Sequence, residues 1–155
     1  MLRIYRDTRF SKDKTPFKAA TGAHFAHQAR AEEQSVPGFY IHLEPGECMG
    51  GGGIYRPDTA ALKQIRDRMV AKPREWEAVL RKKLPLGGEA LKRPPAGYDP
   101  QHRFVEDLKR KDFYSLTRFT EKEVCAPDFL DTYVDACLRV APLIQFLTRS
   151  LGLPY

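Results

Sequence analysis

Three polar side chains alternate along the short stretch GFYIHLEP, where Tyr40, His42 and Glu44 stand two residues apart. Side chains two apart on a strand share a face, so this spacing brings a phenol, an imidazole and a carboxylate into one row. That is the inventory of acid–base chemistry: a group that exchanges a proton, a base that receives it and an anion that orients the base. Tyr40, His42 and Glu44 are therefore the candidate catalytic residues, although the polar face of any half-exposed strand has the same look. Four glycines, Gly50 to Gly53, follow a few positions later. They can leave a bare floor beside Tyr40 for a ligand, or form a bulged strand packed closely under a helix.

A second group of side chains points to an anion. Between Arg3 and Lys18, six cations (Arg3, Arg6, Arg9, Lys12, Lys14 and Lys18) face two acids (Asp7 and Asp13), a net +4. The segment KRPP adds Lys92 and Arg93 on a rigid loop. A guanidinium offers a planar fork for bidentate contacts to phosphate or carboxylate. The candidate ligand-binding residues are thus Arg6, Arg9, Lys12, Lys14, Lys18 and Arg93. Pairing with Asp7, Asp13 or Glu44 is an equal alternative for the arginines, with the lysines solvated.

Several chemistries are disfavoured by spacing. GGGG is followed by no Gly-Lys-Ser or Gly-Lys-Thr ending and by no GxGxxG entry into a helix, so it is not a phosphate-binding loop. His24 and His27 in HFAH converge only if that stretch is helical, and no acid or cysteine accompanies them at a ligand spacing. No metal and no cofactor is expected. Cys48, Cys125 and Cys137 are an odd number without a CxxC pair, which argues against a disulfide framework and fits a reducing cytoplasm.

The elements that must position these groups follow from patterning. A chain of 155 residues, 42% hydrophobic and 30% charged, suits a single domain over 1–155. No apolar run approaches the roughly 20 residues that span a bilayer, and Met1 leads into charged sequence rather than a signal peptide. The formal net charge of +6 raises the weight of phosphate-bearing partners. A nucleic-acid or protein-partner module is the alternative to a small-ligand site, with basic clusters interleaved by Tyr5, Phe10, Phe17 and Tyr98. No recognised nucleic-acid motif accompanies them.

Leu2 and Ile4 suggest a short strand, SKDKTPFK a turn, and ATGAHFAHQARAEEQS either helix or extended chain. Gly38–Glu44 reads as a strand with Phe39, Ile41 and Leu43 toward the core, returning through Pro45 and Gly46 by a longer or bulged loop into CMGGGGIY. Asp58 caps a helix with Leu62, Ile65 and Met69 inward, and Pro73 starts another with Trp76, Val79 and Leu80 inward. EALKR is extended, Phe104, Val105 and Leu108 mark a short helix, FYSLTRF is a strand, and Thr120 with Glu123 forms a capping box. Pro127 opens a long last helix with Leu130, Tyr133, Val134, Cys137, Leu138, Ala141 and Ile144 as its core stripe. Cys125 and Cys137 are expected to pack as small apolar groups. The fold class is α+β: an antiparallel sheet packed against several helices, the last one long.

Three ordered blocks, RDTRFSKDKTPFK, PGFYIHLEPGECMGGGGIYRP and LKRPPAGYDPQHRFVEDLKRKDF, resemble the family known as domain of unknown function 2461 in bacteria and fungi. Members usually begin with a helical segment ahead of the first block. The resemblance therefore implies an N-terminally truncated member, with apolar surface left exposed or covered in a homodimer. It implies no reaction. The functional expectation is a small anionic ligand held at the basic loop beside the Tyr/His/Glu face, with acid–base catalysis left open.

Overall fold

A computed structural model of the protein describes residues 19–28 and 36–154. The stretch whose periodicity fits helix and strand alike is extended over β1 (Thr21–Ala26). Alternation in GFYIHLE gives β2 (Gly38–Glu44), and the chain returns in β3 (Glu47–Ile54). Glu44 pairs directly with Glu47, so the connection is only Pro45-Gly46 and is shorter than the expected bulged loop. Gly46 at φ 81° supplies the left-handed residue that a type II turn needs after proline.

Asp58 caps α1 (Thr59–Ala71) by accepting the Ala61 N–H at 2.8 Å. Proline opens α2 (Pro73–Leu80), where it removes an N–H that would have no partner anyway. The short strand that follows is β4 (Leu86–Gly87), just ahead of the predicted EALKR. Then come α3 (Val105–Leu108), β5 (Phe113–Phe119), α4 (Glu121–Val124) behind its Thr120/Glu123 capping box, and α5 (Phe129–Ser150). The sheet order is β1-β2-β3-β5-β4, with every neighbouring pair antiparallel. The fold is α+β.

The main core joins sheet residues Ile54 and Phe113 to Ile65 and Met69 of α1, Trp76 of α2, and Leu143 and Leu147 of α5. Each of these large side chains contributes roughly 1.5–3 kcal/mol by leaving water. Trp76 is fully buried and donates its indole N–H to Asp107 at 3.0 Å, so its one polar atom is satisfied. Two of the four glycines explain how α5 comes so close to the sheet. A Cβ on Gly50 would stand 2.8 Å from the Tyr133 ring, and one on Gly52 would stand 3.1 Å from Ile144.

Three readings of packing need correction. Leu130, Val134 and Leu138, expected in the core stripe of α5, are exposed, at 70%, 43% and 64%. They recur every four residues and form a row on the outer side, whereas Ala136, Val140, Leu143 and Leu147 hold the side that meets the sheet. Leu80 ends the last turn of α2 and is also exposed. Cys125 is exposed where α4 ends, Cys137 is half-buried, and Cys48 is the buried cysteine.

Candidate functional site

Because β2 alternates, Phe39, Ile41 and Leu43 lie on the helix side and Tyr40, His42 and Glu44 on the other. Phe39 and Leu43 pack against the two apolar clusters. The expected contrast in burial is nonetheless absent, since all six residues from Phe39 to Glu44 are partly buried. α5 packs chiefly over β3, so the helix-side row of β2 lies at the margin of the core.

The polar row is hydrogen-bonded along its length. Tyr40 Oη lies 3.3 Å from His42 Nδ1, and His42 Nε2 lies 3.1 Å from Glu44 Oε2. A carboxylate accepts only, so Glu44 places the imidazole proton on Nε2. Nδ1 is then the acceptor that faces the Tyr40 hydroxyl. The phenol and imidazole rings lie near-parallel, 22° apart, with centroids separated by 6.3 Å.

Tyr40 opens onto a cavity of about 560 Å³, lined by His24, Val36, Gly38, Tyr40, Gly52, Gly53, Tyr55, Tyr114 and Leu116. Cross-strand register builds it. One row runs His24, Tyr40, Gly51, Leu116 across β1, β2, β3 and β5, and the next runs Gly38, Gly53, Tyr114. Aromatic walls thus flank a trough where Gly38 of β2 and Gly51 and Gly53 of β3 carry no side chains. The trough requires glycine: Gly53 has φ 148°, and a Cβ there would collide with the Phe113 carbonyl and the Tyr114 backbone. At Gly38 a Cβ would lie 2.7 Å from His24 Nε2. Desolvation lowers the His24 pKa below the ordinary histidine value, which favours a neutral ring at this wall.

A second cavity of about 580 Å³ adjoins the first and shares Tyr55 and Tyr114 with it. Arg56, Glu89, Lys111 and Asp112 also line it. Asp112 is 3% exposed and ties two loops together, accepting the Arg56 N–H at 2.7 Å and the Glu89 N–H at 3.0 Å. The sequence reading missed Arg56 and Asp112. The signal available was one acid, directly after the cations of KRK and directly before a strand.

A family model described as conserved hypothetical protein (DUF2461) matches residues 1–146, which include both cavities and the polar row. The chain belongs to this family. No curated protein matches it, and no solved structure matches it either. The other sequence-predicted residues of this DUF2461 protein fall into two sets. Arg6, Arg9, Lys12, Lys14 and Lys18 lie outside the described residues. Arg93 is exposed and lines neither of the two cavities. Its loop is anchored instead by Tyr98, which donates its hydroxyl to Asp67 at 2.8 Å. Desolvation, together with that carboxylate, pushes the Tyr98 pKa up to about 12. His24 faces the cavity, while His27 Nε2 lies 2.6 Å from the Pro154 carbonyl, so the HFAH pair does not converge. Among the described residues no cluster of three or more His, Cys, Asp or Glu could hold a metal ion, and no helix is long and apolar enough to cross a membrane.

Proposed function

We propose that this DUF2461 protein binds a small organic ligand with an anionic group in the cavity beside Tyr40 and moves a proton on it. One observation carries the reading: a hydrogen-bonded Tyr–His–Glu row whose phenol end opens onto a cavity of ligand size. As Tyr40 Oη takes a proton from the ligand, its own proton passes to His42 Nδ1. The resulting imidazolium rests against the Glu44 carboxylate. In the reverse direction Tyr40 acts as the acid. Proton transfer by positioned groups of this kind typically accelerates a reaction by about 10²–10⁴.

The test combines nitrogen-15 NMR of the imidazole with binding assays. Neutral His42 should be protonated at Nε2, and Glu44→Gln should weaken that preference. A panel of small carboxylates and phosphates, titrated by calorimetry, should include binders that shift Tyr40 resonances. Finding the His42 proton on Nδ1, or finding that no panel member touches Tyr40, would overturn the proposal.

A further inference from the structure

We infer that the ligand is a flat ring carrying an acidic group, with the ring in the cavity beside Tyr40 and the acid on Arg56. This deepens the reading above and rests on its claim that the cavity is a ligand site.

The ring half follows from the walls. Tyr40, Tyr55, Tyr114 and His24 present ring surfaces around the glycine trough, and Leu116 adds apolar area. A trough flanked by several aromatic side chains suits a planar guest that can stack on one ring and meet the edge of another. Tyr55 is 59% exposed, a large cost in unburied apolar surface for a side chain at a sheet end. It is held edge-on to Tyr114, with centroids 5.9 Å apart and planes at 71°. It therefore stands ready as a wall, and a guest ring would cover it.

The acid half follows from Arg56. Its guanidinium carbon lies 5.2 Å from the ring centroid of Tyr55, a residue that lines both cavities, and Arg56 itself lines the second. Its backbone is left-handed at φ 46°, a conformation that a non-glycine residue rarely adopts and that is found concentrated at ligand clamps. The Asp112 carboxylate holds it there. Arg68, Arg103 and Arg110 line neither cavity and pair with Glu75, Glu77 and Asp107, respectively. Among the described residues no carboxylate pairs with the Arg56 side chain. Within the second cavity Lys111 pairs with Glu89 at 2.9 Å, and both oxygens of nearly buried Asp112 accept backbone N–H groups. Among the described arginines and lysines that line the two cavities, Arg56 is the one whose side chain has no carboxylate partner. An acid reaching it from a ring in the first cavity keeps the ring's other substituents beside Tyr40.

The test is an NMR titration of the whole chain with matched pairs: 4-hydroxybenzoate against 4-hydroxybenzamide, and adenosine monophosphate against adenosine. The two acids separate a carboxylate ligand from a phosphate ligand. At least one acid should bind at least tenfold more tightly than its neutral partner and shift Tyr40, Tyr55 and Tyr114. In Arg56→Asn, whose side chain tolerates the left-handed backbone, that preference should disappear. Arg56→Lys should restore part of it. Equal binding within both pairs, or an acid preference that survives Arg56→Asn, would overturn the inference. If neutral rings still shift Tyr40, the ligand-site reading stands without it. If no ring shifts any of the three tyrosines, the inference falls, and the His42 proton position judges the relay on its own.

Discussion

Asp112 shows how much one buried carboxylate can organise. It fixes Arg56 and Glu89 through their backbone N–H groups, 56 and 23 residues away in the chain. Asp112→Asn keeps one acceptor oxygen but turns an amide N–H toward a backbone N–H, leaving a buried donor unsatisfied. The expected loss is about 1–3 kcal/mol, read as a lower urea midpoint. Tyr98 gives a pH-dependent counterpart. Its folded pKa of about 12 stands above the ordinary value of 10, so the folded state holds the phenolic proton more tightly than the unfolded chain. That contribution is complete below pH 10 and is lost as pH rises toward 12. Thermal melts over this window should show wild type losing more stability than Tyr98→Phe. At this scale the sequence was legible where a local period set the geometry, as it did for Tyr40, His42 and Glu44. It was silent on Asp112 and Arg56, whose roles arise only when distant loops meet.

Among the elements, β3 and α5 constrain each other most closely. Gly52→Ala would press a methyl group against Ile144 and the Gly38 carbonyl. The expected cost is about 1–3 kcal/mol, typical of overpacking, and denaturation of the purified variant would measure it. The two sides of α5 should respond very differently to substitution. Leu143→Ala, on the sheet side, should lose about 2–5 kcal/mol. Leu138→Gln, on the outer row, should stay within about 0.5 kcal/mol of wild type. The periodicity of α5 was plain in the sequence, but two apolar rows compete on that helix, and only the position of the sheet decides which is buried. At Pro45-Gly46 only the length of the connection was misjudged: proline's preference for an unprimed turn holds, and a left-handed Gly46 after it closes a two-residue connection.

For the whole molecule, alternating strands and amphipathic helices made the α+β class readable, since each pattern demands a buried face. The division of labour between the sheet's two faces was not readable. One face is sealed by α1, α2 and α5, which share the main core with Ile54 and Phe113. The other holds the trough between its tyrosines. The single tryptophan of the chain, Trp76, lies wholly on the sealed side, tilted against Phe146 at 5.0 Å and edge-on to Phe113 at 6.1 Å. The protein consequently carries two separate optical reporters. Indole emission should track loss of the helical face during unfolding and remain steady when the trough is filled. Tyrosine absorbance, through Tyr40, Tyr55 and Tyr114, should respond to a guest, so occupancy and unfolding can be followed in one cuvette without any label.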